Sequence, residues 1–260
     1  MKYYTIDVSK QNNVVTIFLN RPDVHNAMNE QLIKELTDCF KKIDKEKDTR
    51  IIVLTGKGKS FCAGADLNWM KNMVNYSRAE NIKDSNILLD LYETIYSCSK
   101  PVIARVNGHT FGGGIGLFAV CDITITITDS KFAFSEVKLG IVPAVISTYI
   151  SKRMKLSDMR RLFITGERFD SNYAKEIGLI DFIVSEKELD ESVKKYIDLL
   201  YSSSPNAISE VKKLINTCET MSTEKYKKFT VEKIAELRVS KEGQEGINAF
   251  LNKRKSKWSE

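Results

Sequence analysis

Three short stretches hold residues whose types and spacing could do chemistry. The first is Gly112-Gly113-Gly114, inside Asn107-Gly108-His109-Thr110-Phe111-Gly112-Gly113-Gly114-Ile115-Gly116. It stands between a β-branched run, residues 102–106, and an apolar stretch of helical character, residues 115–120. Glycines at such a junction let backbone approach a ligand closely. They also leave amide N–H groups free at the helix start, where the dipole favours negative charge. A tight left-handed turn that binds nothing fits the same run. The second stretch is Ala63-Gly64-Ala65, followed by Asp66, which can cap a helix starting at Leu67. Two such elbows can aim paired N–H groups at one carbonyl oxygen, an oxyanion hole in which a single donor is typically worth about 2.7–4 kcal/mol. The third is Glu136, among apolar neighbours in residues 131–143. A carboxylate there is partly desolvated and its pKa raised, which suits proton transfer near neutral pH. The plainer alternative is a surface glutamate paired with Lys138.

Composition bounds what these residues could serve. The chain has 260 residues, 42% of them hydrophobic, enough for one large core or a core with a small appendage. Charged residues make up 28% and the net charge is +6, with lysines spread among acids. A surface that tolerates anionic ligands fits this better than a nucleic-acid stripe. The five cysteines, Cys39, Cys62, Cys98, Cys121 and Cys218, show no metal spacing. An odd count without a signal peptide implies reduced thiols in a cytosol-like compartment. A strand begins almost at once, so no targeting segment is expected. No apolar run approaches the length of a membrane span.

The elements that must position the three stretches follow from periodicity. Residues 3–8 and 14–19 read as a hairpin around Gln11-Asn12-Asn13. Residues 21–27 form a loop. Asn29 can cap a helix over residues 30–45, with Leu32, Ile33, Leu36, Phe40 and Ile43 on one face. Residues 51–54 are a short buried strand. Strand, helix and strand at this spacing predict a crossover unit of an α/β fold. An amphipathic helix is expected over residues 79–99, after a polar, mobile stretch at 71–78. Residues 123–127 alternate as a strand, 157–164 and 172–176 read as helices, and 179–184 as the last strand. Residues 188–201 are amphipathic. Ser202-Ser203-Ser204-Pro205 is the one clear break. It divides the chain into residues 1–201, the core, and 202–260, a helical region in which Pro205 starts a helix. Further helices are expected over residues 223–238 and 243–253. Their apolar faces lack a strand partner, which suits an oligomer interface. No internal repeat is evident by eye.

Residues 21–27, 61–67, 107–122, 134–143, 163–170, 174–180 and 250–254 together resemble the crotonase (enoyl-CoA hydratase/isomerase) superfamily, in the family order and over nearly the whole chain. Residues 61–70 and 135–147 look most similar to bacterial methylglutaconyl-CoA hydratase-like enzymes of leucine breakdown. The resemblance implies an α/β spiral core of ββα repeats, then a helical C-terminal region that packs subunits into trimers, often paired as hexamers. It implies an acyl-CoA thioester substrate and no separate cofactor, while no metal, no membrane partner and a cytoplasmic location are expected from the composition above. It carries the oxyanion-hole roles onto Ala65 and Gly113, and the loop that covers CoA onto Val24 and His25. It carries substrate binding onto Ala63, Asp66, Leu67, Asn68 and Gly112. Phe250 and Lys253 match C-terminal positions that reach the CoA of this or a neighbouring subunit. Lys253 would meet a phosphate as a point charge, or be a solvated tail charge.

Glu136 matches one of the two catalytic glutamates of hydratases. The other falls at position 116, which is Gly116 here. A lone carboxylate is enough to shuttle a proton between carbons, as in the similar Δ3,Δ2-enoyl-CoA isomerases, and serves a hydratase where other groups hold water. The expectation is a lyase adding water to a short branched 2-enoyl-CoA, 3-methylglutaconyl-CoA-like, with the isomerase as the alternative. Gly116 is expected to enlarge the pocket for a branched or carboxylated acyl chain. His109 either lines that pocket or is a turn residue. Arg105 and Lys138 either meet a distal substrate carboxylate or make structural salt bridges. Trp69 and Met70 wall the pocket or pack the core. A eukaryotic relative of the same subgroup binds RNA through lysines on its first long helix. Here Lys34, Lys41, Lys42 and Lys45 are interrupted by Glu35, Asp38 and Asp44, which argues against that role.

Overall fold

The computed structural model describes residues 2–218 and 220–259. It opens with an antiparallel hairpin of β1 (Ile6–Gln11) and β2 (Val14–Leu19), turned by Asn12 at φ 53°. The first strand therefore starts three residues later than its pattern predicts. The N–H groups of Tyr4 and Thr5 are drawn instead to the Glu35 carboxylate. α1 (Glu30–Lys45) begins where Asn29 accepts a hydrogen bond from Leu32 N, and its apolar face is buried as expected. β3 (Ile51–Gly56) lies parallel to β2 and is buried at every position. Such strands carry no alternation, because both faces are covered.

From β3 onward the chain repeats one unit. β3 is followed by β4 (Ser60–Cys62), α2 (Leu67–Met73) and α3 (Arg78–Tyr96). β5 (Val102–Val106) is followed by β6 (His109–Phe111) and α4 (Gly113–Ala119). β7 (Ile123–Ile127) is followed by β8 (Lys131–Ala133), a 3-10 turn over Ser135–Leu139, and α5 (Ala144–Ile150). The first strands pair in parallel in a six-stranded sheet, β1-β2-β3-β5-β7-β10, closed by β10 (Phe182–Val184). The second strands pair in parallel in a four-stranded sheet, β4-β6-β8-β9, closed by the antiparallel β9 (Phe169–Asp170). This is the spiral of ββα turns that the resemblance implied. The stretch expected to be polar and mobile is partly helical, since α2 runs to Met73, and Ser77 opens α3 with a capping box.

α6 (Leu156–Thr165), α7 (Ser171–Glu176) and α8 (Leu189–Tyr201) complete the layers. Phe40, Phe61, Phe118, Phe132 and Phe134 are fully buried in the main cluster, with Phe61–Phe118 and Phe118–Phe132 centroids 6.2 and 5.8 Å apart, edge to face. Each such ring contributes about 1.5–3 kcal/mol by burial. On the other face of the large sheet, Leu189 and Val193 of α8 pack on Ile51, Val53, Ile103 and Ile125. α9 (Pro205–Cys218), α10 (Thr223–Val239) and α11 (Lys241–Leu251) follow without strands. They leave Val211, Ile215, Val231, Ile234, Ile247, Phe250 and Leu251 exposed.

Candidate active site

β4, β6 and β8 are neighbouring parallel strands, and each of the three stretches that could do chemistry follows the end of one. After β4 the chain turns through Gly64 at φ 90°, where an added Cβ would lie 2.9 Å from Phe111 O. Only glycine lets this elbow rest on the end of β6. Met28 pairs with Ala65 in an isolated parallel bridge, Met28 N donating to Gly64 O (2.7 Å) and Asp66 N to Met28 O (2.8 Å). The bridge uses the peptide groups on either side of Ala65 and turns the Ala65 N–H the opposite way. After β6, Gly112 adopts φ 49°, donates to Ala133 O (2.9 Å) and accepts from Ile115 N (2.9 Å). Gly113 then starts α4. Among the described residues, the N–H groups of Ala65 and Gly113 have no partner. Ala65 is exposed and Gly113 half-buried, so both amides sit at the surface of the junction.

Glu136 follows β8 within the 3-10 turn that Gly140 closes at φ 74°. A Cβ added to Gly112 would lie 3.0 Å from Glu136 Oε1, so the carboxylate rests on the second elbow. Its Oε2 is buried with no hydrogen-bond partner. Burial raises the Glu136 pKa above the ordinary glutamate value, only its own backbone N–H opposing. The alternative of a surface pair with Lys138 is excluded, because among the described residues Glu136 makes no ion pair and Lys138 is exposed. The arrangement therefore holds two unpartnered amides and one desolvated carboxylate at the ends of adjacent strands. Among the described residues no group of three His, Cys, Asp or Glu could hold a metal ion.

A strap holds the first elbow. Arg21 Nη2 donates to Asp66 Oδ2 (2.7 Å), and Arg21 Nη1 donates to Ala27 O. Asp66 Oδ1 caps α2 through Asn68 N (2.8 Å) and Trp69 N (3.3 Å). The fully buried Asn26 donates to Lys57 O and Ser60 O, both at 2.9 Å. His25, left-handed at φ 52°, accepts from Ala63 N (3.0 Å) and places Nδ1 3.1 Å from Ser60 Oγ. Val24 stands partly exposed beside it. Sequence reasoning assigned no role to Arg21, Asn26 or Met28. Arg21 and Asp66 are 45 residues apart, and nothing local marks their pairing.

Other expected residues fall differently. Leu67 and Asn68 are exposed at the start of α2. Trp69 is buried, its Nε1 donating to Asp84 (3.3 Å), while Met70 is half-buried. His109 is exposed at the first position of β6, not in a turn, and its Nδ1 accepts from Lys131 N at the start of the neighbouring β8 (3.1 Å). Arg105 pairs with Asp190 (2.7 Å), as a structural bridge. Lys138 makes no ion pair among the described residues, so the bridge expected of it does not form. Phe250 is 83% exposed and Lys253 follows α11 at φ 51°. Gly116 does not enlarge a pocket. A Cβ there would meet Ile146 Cγ2 at 2.5 Å and the Tyr92 ring at 2.8 and 2.9 Å, so the space is already filled.

The sequence profile of the enoyl-CoA hydratase/isomerase family matches residues 9–260. The chain is 32% identical over 260 residues to a crotonyl-CoA hydratase of Syntrophomonas wolfei, covering 98% of each chain. It is 30% identical over 257 residues to a short-chain-enoyl-CoA hydratase of Clostridium acetobutylicum, covering 98% of this chain and 97% of that one. The crystal structure of an enoyl-CoA hydratase from Shewanella pealeana superposes with a TM-score of 0.95 at 37% identity, covering 99% of this chain and 97% of that one. With two free amides and one desolvated carboxylate set on this spiral, the chain belongs to the enoyl-CoA hydratase/isomerase family, the crotonase superfamily, as an enzyme that takes an acyl-CoA substrate.

Proposed function

We propose that the enzyme adds water across the double bond of a short, branched 2-enoyl-CoA, 3-methylglutaconyl-CoA-like, with Glu136 as acid and base. The observation that carries this is the buried, unpartnered Glu136 Oε2 on a carboxylate that rests against Gly112, one residue before the Gly113 amide. The thioester oxygen accepts hydrogen bonds from Ala65 N and Gly113 N, which stabilise the enolate as it forms. Water oxygen bonds to C3 while the Glu136 carboxylate takes its proton. The carboxyl group then returns a proton to C2, so the residue ends as it began. Desolvation makes the carboxylate a stronger base than one in water.

Ala63, Asp66, Leu67, Asn68 and Gly112 shape the substrate segment. Asp66 acts there through Arg21 and the α2 cap, since its oxygens are occupied. Val24 and His25 cover the CoA. The exposed apolar residues of α9, α10 and α11 pair copies of the chain into a trimer or hexamer, bringing Phe250 and Lys253 to a neighbour's CoA. Short acyl chains accord with the crotonyl-CoA and short-chain relatives. The preference for a branch draws on the likeness of residues 61–70 and 135–147 to the methylglutaconyl-CoA subgroup, no longer on Gly116. Five free cysteines, four buried and Cys218 exposed, accord with a cytoplasmic setting.

The isomerase alternative keeps one observation in its favour, the single carboxylate. Assaying purified protein on 3-methylglutaconyl-CoA, crotonyl-CoA and a 3-enoyl-CoA, in H2O and D2O, separates the two. Water uptake is expected, fastest on the branched substrate. Turnover of the 3-enoyl-CoA with no water uptake on any substrate would establish the isomerase. RNA binding finds no support on α1, where Lys34, Lys41 and Lys42 are ion-paired with Glu30, Asp90 and Asp38.

A further inference from the structure

Tyr92 of α3 is fully buried and reaches the second elbow from beneath. Its Oη donates to Gly113 O at 2.7 Å, and lies 3.1 Å from where a Cβ on Gly113 would be. Its ring packs edge to face on Tyr149 of α5, with centroids 6.0 Å apart. Tyr149 is fixed in turn by its hydroxyl on Glu93 Oε2 (2.9 Å). The Tyr92 ring and Ile146 of the same α5 fill the space above Gly116. Burial, then Cys62 and Glu136 nearby, hold the phenol well above its ordinary pKa, so it remains a donor at every working pH.

From this geometry we infer that Tyr92 is a positioning residue for the Gly113 amide and occupies the volume a carboxylate at position 116 would need. Hydration then runs with Glu136 as its one carboxylate, an inference that rests on the function proposed above. The peptide between Gly112 and Gly113 hangs between fixed points. On one side Gly112 N is tied to Ala133 O, and Gly112 O to Ile115 N. On the other, the Tyr92 hydroxyl ties Gly113 O. An oxyanion donor is useful only when its direction is set before charge develops. Removing one tie leaves the N–H present but less well aimed. Tyr92 is sealed from solvent and its proton is committed to Gly113 O, so it neither holds the reacting water nor gives it a proton.

Tyr92→Phe tests this, because the ring and its packing are kept. Hydration of crotonyl-CoA and exchange of the α-hydrogens of butyryl-CoA in D2O both need the oxyanion hole, whereas only the first needs water at C3. Both rates are expected to fall together, by about tenfold, the equivalent of one hydrogen bond. KM is expected to stay within about twofold and the pH profile to keep its midpoint, since Glu136 still titrates. A fall in hydration alone would make Tyr92 a water-handling group and overturn the inference. Unchanged rates with a lower Tm would make it filler and overturn it equally. Gly116→Glu supplies an independent test. It is expected to cost at least tenfold in hydration for want of space, and a rate at or above the parent's would show that the volume is not shared. Glu136→Gln run alongside separates the two levels. Full turnover by that variant removes the proposed mechanism, whereas an inactive Glu136→Gln beside an unimpaired Tyr92→Phe removes only the role of Tyr92.

Discussion

Asp66 is the residue whose removal should be felt most widely, and the structure gives the size of the effect. Its side chain is 6% exposed and accepts three hydrogen bonds, from Arg21 Nη2, Asn68 N and Trp69 N. Asp66→Ala deletes the cap of α2, worth about 1 kcal/mol. It also leaves the Arg21 guanidinium, 19% exposed, without its counter-charge. Breaking a buried pair from one side costs about 3–5 kcal/mol. Residual solvent on Arg21 places this pair at the lower end, about 3 kcal/mol, so with the cap Asp66→Ala is expected to cost about 4 kcal/mol in all. Asp66→Asn keeps an oxygen for the cap and loses only the charge, so it should cost about 1 kcal/mol less. Thermal and denaturant unfolding at pH 7 measure both. Since Asp66 follows Ala65 directly, kcat/KM should fall in both variants, more in the alanine.

The pH dependence of that difference has a definite sign. Burial pushes the Asp66 carboxyl upward, but Arg21 and the N–H groups of Asn68 and Trp69 outweigh it, so its pKa is held below the ordinary value. A depressed folded pKa contributes stability above the unfolded value of about 3.9 and loses it as pH falls through the folded one. The gap between parent and Asp66→Asn should therefore be full at pH 7 and close under acid. Equal stability of parent and both variants at pH 7 would refute the reasoning, and so would a gap that widens as pH falls.

The remaining predictions concern the carboxylate and its glycine neighbour. Glu136→Gln should lower kcat for hydration by about 10²–10⁴-fold. Because burial raises the Glu136 pKa, the fold favours the neutral carboxyl, and stability present below the ordinary value of about 4.3 is lost as pH rises through the folded one. Glu136→Gln should then raise Tm at pH 8 and leave it unchanged at pH 4, which calorimetry at the two values checks. Gly112→Ala forces a side chain to φ 49° with its Cβ 3.0 Å from Glu136 Oε1. With ψ at −129° the backbone lies outside the left-handed helical region, so the substitution should cost about 1–3 kcal/mol of stability by strain and lower kcat more than KM, since the carboxylate must shift.

What could be read from residues alone was whatever the chain decides locally. α1 was legible because Asn29 caps it and its apolar residues recur at helical spacing. The cap of α2 by Asp66 was legible for the same reason. The small sheet was not. Its strands are two or three residues long, too short for any alternation to register, and they exist because β4, β6 and β8 pair across 40 residues or more at one step and about 20 at the next. The ββα repeat was hidden with them, since it is a repeat of connections and not of residues. α5 was missed because Pro143 and Ala144 supply no side-chain cap. Gly116 was misread as open space because its neighbours, Tyr92 and Ile146, come from two other helices. In sequence, Tyr92 is one more apolar position on an amphipathic helix.

The repeat also explains how three distant stretches come to follow the ends of neighbouring strands. Ala65, Gly113 and Glu136 come three, two and three residues after the ends of β4, β6 and β8. Paired strands lie about 4.8 Å apart, so successive turns of the spiral deliver one group each at that interval. Ligands in sheets with parallel strands gather at the carboxyl ends for the same reason. A scaffold of this kind sets spacing through backbone pairing and leaves each turn free to choose its group. Two turns chose small residues that expose an amide. The third chose a carboxylate with one oxygen buried and unpaired, at a cost of about 1–3 kcal/mol. Glutamine at the same place would leave a polar atom equally unpaired but carry no charge to desolvate, so the packing does not require the charge itself. The carboxylate rests against Gly112, the residue before one of the two amides that also lack partners, and the enolate proposed above would occupy those amides and use that charge.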